Sequence, residues 1–149
     1  MQKFSRDSFN ITEAINELMH ESGVIVIENA YNLNDIKEAR EIVNHFADTE
    51  EQKETHFNAE AVSSDKIKLQ QRIWNLFGKG EVFSKLITND IIFSLMSKLL
   101  GSEFFCGSYC ASRLLPGSLG QELHIDYPYW DFYNNETFPI GLNSSFAQN

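Results

Sequence analysis

The sequence predicts an α+β domain in which N-terminal helices brace a β-barrel, and three observations lead there. Apolar residues recur at helical spacing three times in the first two-thirds of the chain, over 11–19, 36–46 and 91–99. Short β-branched and aromatic runs at 24–27 and 103–115 read as strands. Helical segments dominate early and strand segments late, the order expected of segregated layers. At 149 residues the chain is long enough for one domain with a real core, and we read 1–149 as a single domain.

Asn10-Ile11-Thr12-Glu13 forms a capping-box-like start, with Glu three positions after the cap. Ile11, Ile15, Leu18 and Met19 then make one apolar stripe, and Gly23 suits a left-handed position after the last turn. His20 falls near that end, where the helix dipole favours a cation. Val24-Ile25-Val26-Ile27, apolar on both faces, predicts a buried strand. Asn32-Leu33-Asn34 offers a second cap, ahead of a helix whose Ile36, Ala39, Val43 and Phe46 share a face and which ends near Asp48.

Residues 49–65 are polar, acid-rich and aperiodic, which predicts a loop or mobile segment, of the length that is often either a lid or disordered. Alternation over 66–77 favours extended structure, closed by a turn at Gly78-Lys79-Gly80. That turn lacks the pattern of a phosphate loop. A short helical piece at 83–86 precedes a longer helix, capped by Asn89 or Asp90, with Ile91, Ile92, Leu95, Met96 and Leu99 on its apolar face. Gly101 ends it. If 103–115 is one strand, Phe105, Gly107, Tyr109, Ala111 and Arg113 share a side. Cys106 and Cys110 would then lie roughly 13 Å apart, too far for a disulfide, and are expected as buried thiols.

Net charge of −9 argues against nucleic acid and anionic membranes as partners. No apolar run approaches a membrane span, and the N-terminus lacks the apolar segment of a signal peptide, so the expected location is cytoplasmic.

The residues with the most chemistry are His124-Ile125-Asp126. On a strand the two polar side chains point to one face, with Cα atoms roughly 6.5 to 7 Å apart, close enough to share a metal ion. One more His would complete the 2-His-1-carboxylate triad that holds non-haem Fe(II) in oxygenases. The tripeptide by itself also fits a His–Asp hydrogen bond in a loop. Its context is a Pro116-Gly117 turn upstream and an aromatic cluster downstream, which suits a barrel mouth.

With these features in view, the sequence resembles the phytanoyl-CoA dioxygenase-like branch of Fe(II)/2-oxoglutarate oxygenases. The resemblance is carried by the opening helix running into Ser22-Gly23-Val24-Ile25-Val26-Ile27, by Lys98-Leu99-Leu100-Gly101 closing a helix, and by the Pro-Gly turn leading to His-x-Asp. It implies a double-stranded β-helix of the jelly-roll or cupin-like type, present here only in its first strands. It also implies iron held by His124 and Asp126, and 2-oxoglutarate as co-substrate. Tyr109, Arg113 and Gln121 are candidates to contact 2-oxoglutarate, and Tyr127, Tyr129 and Trp130 to line the mouth for a small-molecule substrate.

The family's second iron-binding His and its basic 2-oxoglutarate anchor follow the His-x-Asp, yet residues 127–149 contain no His, Lys or Arg. The expectation is therefore an N-terminal part of an oxygenase, inactive by itself unless His20, His45 or His56 supplies the third ligand. The alternative is a non-catalytic binding module derived from the same fold. In either case exposed sheet edges would favour self-association between copies.

Overall fold

A computed structural model describes residues 1–51 and 69–118. They divide into two compact units, one built from Met1–Asp35 and Lys85–Phe105, the other from Ile36–Ser84 and the segment after Cys106. Among the described residues the elements are four α-helices and two two-stranded sheets, an α+β composition.

In the first unit, strand β1 (Gln2–Ser5) pairs in parallel with β2 (Ile25–Glu28), in a register that sets Gln2 beside Ile25 and Ser5 beside Glu28. A parallel pair needs a crossover, and helix α1 (Ile11–His20) supplies it. Asn10 caps α1 as its sequence predicts, its Oδ1 accepting from the backbone N–H groups of Thr12 and Glu13 at 3.0 and 3.3 Å. Its Nδ2 donates to Glu13 Oε1 at 2.9 Å, so the capping-box partner grips the cap's side chain. After the helix, Gly23 takes φ +73° and its N–H donates to the Glu17 carbonyl. The neighbouring Ser22 hydroxyl donates to Glu17 Oε1 at 2.5 Å and holds that carboxyl below its ordinary pKa.

Helix α4 (Asp90–Leu100) packs against α1. Phe4, Ala14 and Leu95 form the buried centre, surrounded by Phe9, Ile11, Ile15, Leu18, Ile25 and Leu99. The predicted apolar faces of α1 and α4 are the ones that meet this core. Strand β2 differs from expectation. Val24 lies outside it and is exposed, and Ile25, Val26 and Ile27 are only half-buried, because within the described residues the sheet holds a single ladder.

The second unit contains most of helix α2 (Leu33–Thr49), whose first turn is served by Asn32 Oδ1 accepting from the Asn34 N–H at 2.8 Å. Strand β3 (Gln70–Ile73) runs antiparallel to β4 (Ala111–Leu114), with Ile73 opposite Ala111 and Gln71 opposite Arg113. A left-handed Asn75 at φ +54° turns the chain into a single 3-10 turn at Leu76–Gly78, and the short helix α3 (Glu81–Ile87) follows. Ile73, Leu76, Val82 and Phe83 are the largest fully buried side chains.

The long strand expected over 103–115 is confined to Ala111–Leu114. Phe104–Cys110 runs without a regular element, because among the described residues no strand pairs with it. The buried-thiol expectation fails with it. Cys106 is exposed, its Sγ contacting the Ser108 carbonyl at 3.4 Å, and Cys110 is half-buried; both are free. Strand β1, ahead of α1, is the one early strand that the sequence reading did not include.

Candidate functional site

Strand β4 precedes the His-x-Asp tripeptide in the sequence. The Leu115 N–H donates to the Leu69 carbonyl at 2.8 Å, which extends the β3–β4 ladder by one bond. The chain then turns at Pro116-Gly117. The Ser118 N–H donates to the Leu115 carbonyl at 3.0 Å, and Gly117 adopts φ +88°. Proline at the second position and a positive-φ glycine at the third is the residue pattern of a type II turn. His124, Asp126, Gln121, Tyr127, Tyr129 and Trp130 lie outside the described residues, as do His56 and all but the first three positions of the loop predicted over 49–65.

Arg113, on β4, is held by three partners. Its Nε donates to Gln71 Oε1 at 2.6 Å, its Nη1 to Asn44 Oδ1 at 3.3 Å, and its Nη2 to Asp48 Oδ1 at 2.5 Å. Gln71 is its cross-strand neighbour, and Asn44 and Asp48 sit one turn apart on the same face of α2. Gln71 also donates from Nε2 to the Ala47 carbonyl, so β3 and β4 are both tied to this helix. The Arg113 hydrogen bond keeps the Asp48 carboxyl below its ordinary pKa, with the guanidinium's charge adding to it. A fixed guanidinium fork satisfied by carboxylate and amide oxygens makes a firm structural clamp.

Tyr109 belongs to a different neighbourhood of the same unit. Its ring lies 5.3 Å from Phe77 and 6.2 Å from Phe83 between centroids, and its hydroxyl donates to the Phe83 carbonyl at 3.2 Å. The shared strand face drawn from residue alternation therefore does not reach Tyr109, which precedes β4.

Two further histidines lie among the described residues. His20 is exposed in the last turn of α1, and His45 is exposed on α2 with its ring edge-on to Phe46. Among the described residues no group of three or more His, Cys, Asp or Glu side chains is placed to hold a metal ion.

The first unit carries a polar cleft of about 570 Å³, lined in part by Arg6, Asn32, Asp35, Lys85, Thr88 and Asn89. Arg6 Nη1 and Asn89 Nδ2 both donate to the Ala30 carbonyl, at 2.5 and 2.7 Å, while Arg6 Nη2 pairs with Asp90 at 3.0 Å. Sequence reasoning found Asn89 as a cap but missed this convergence. A short polar side chain that both caps a helix and reaches a distant carbonyl leaves no periodic mark.

No helix among the described residues is long and apolar enough to cross a membrane. No family model matches the chain, and no curated protein matches it.

Proposed function

We propose that this chain carries two of the three iron ligands, His124 and Asp126, of an Fe(II)/2-oxoglutarate-dependent hydroxylase of the phytanoyl-CoA dioxygenase-like type. The observation that carries the reading is the His-x-Asp spacing in a sequence where strand β4 and a Pro-Gly turn come shortly before it. The donor chemistry fits Fe(II): a neutral imidazole nitrogen and an ionised carboxylate suit that ion and leave coordination positions open. When bound, iron with 2-oxoglutarate and dioxygen supplies the oxidising power for hydroxylation of an unactivated carbon.

The chain's own residues have separable tasks in this reading. On a strand, Ile125 would alternate with the two ligands and face away from a metal they hold. Arg113 holds β4 against α2 and β3, so its guanidinium serves the scaffold. Gln121, close before the pair in sequence, remains the candidate contact to 2-oxoglutarate, and Tyr127, Tyr129 and Trp130 offer apolar surface to a small-molecule substrate. The antiparallel β3–β4 pair supports the accompanying fold proposal, a double-stranded β-helix braced by helices.

The test is succinate formation from 2-oxoglutarate by the full-length protein. Turnover should require Fe(II) and vanish in H124A and D126A. Residues 1–149 alone, lacking His, Lys and Arg after Asp126, should bind Fe(II) weakly and form no succinate. Turnover that survives H124A would overturn the assignment.

A further inference from the structure

We draw no further inference here: the strongest candidate, the polar cleft of the first unit lined by Arg6, Asn32, Asp35, Lys85, Thr88 and Asn89, rests on the N-terminal ends of helices α2 and α4, and no second observation points to a ligand in it.

Discussion

Asn89 donates a 2.7 Å hydrogen bond to the Ala30 carbonyl, 59 positions earlier in the chain, while its own Oδ1 accepts from the backbone N–H groups of Ile91 and Ile92. One buried amide thus starts helix α4 and fastens the segment that follows β2. Removing it takes away a cap and a buried hydrogen bond together. N89A should destabilise the protein by about 1 to 3 kcal/mol in urea denaturation. N89S keeps an acceptor for the cap but cannot reach Ala30, so its loss should be smaller, about 1 kcal/mol. Equal stability of N89A and wild type would show that the amide bridges nothing of consequence.

The Arg113–Asp48 pair makes a signed prediction about pH. The Asp48 carboxyl is depressed in the fold, so its contribution is fully present above the ordinary value of 3.8 and is lost as pH falls through the lower folded value. The urea midpoint of wild type should exceed that of D48N at neutral pH, and the gap should narrow as pH is taken below 3.8. Added salt should narrow it as well, because Asp48 is largely exposed. A gap that does not change with pH would assign Asp48 no charge-dependent part in holding β4.

Packing separates two apolar residues, Ile73 and Phe105. Ile73 is fully buried, whereas Phe105 is 87% exposed. I73A should cost about 2 to 5 kcal/mol. F105A should stay within about 0.5 kcal/mol of wild type, despite removing the larger side chain. Comparable losses would mean that Phe105 is covered in solution.

Two glycines should respond oppositely to a methyl group. Gly101 ends α4 at φ +88° and ψ −179°, a region that side chains avoid, although a Cβ there would meet nothing within 4 Å. G101A should therefore cost about 1 to 3 kcal/mol through backbone strain alone. Gly107 also has open space, but no left-handed φ. G107A should be neutral or stabilise by up to about 1 kcal/mol, by restricting the unfolded chain. Thermal denaturation of the two variants reads both effects.

What was legible in the sequence was local. The Asn10 and Asn89 caps, the stripes of α1 and α4, and Gly23 and Gly101 after their helices all rest on spacings of a few residues. Strand β1 was not legible: Gln2-Lys3-Phe4-Ser5 is mostly polar and becomes a strand by pairing with β2 across an intervening helix. Alternation over 103–115 overstated a strand, because alternation says nothing about whether a partner exists for Phe104–Cys110. Arg113 was legible only as a candidate contact to 2-oxoglutarate, because its partners Asn44, Asp48 and Gln71 lie 42 to 69 positions away and left no mark near it. The His-x-Asp reading falls on residues the structure does not describe, so it stands on its chemistry.

The Ala30 carbonyl, where Arg6 and Asn89 converge, also constrains the order in which a growing chain can fold. Arg6 and Ala30 leave the ribosome early, but the Asn89 amide that donates to the same carbonyl arrives only after all of 36–84 has been made. Closing so long an intervening stretch is entropically slow. Until then β1, α1 and β2 lack Leu95, one of the three buried side chains at the centre of their core. A nascent chain halted before α4 should therefore expose Phe4 to proteases and chaperones, whatever the state of the segment between.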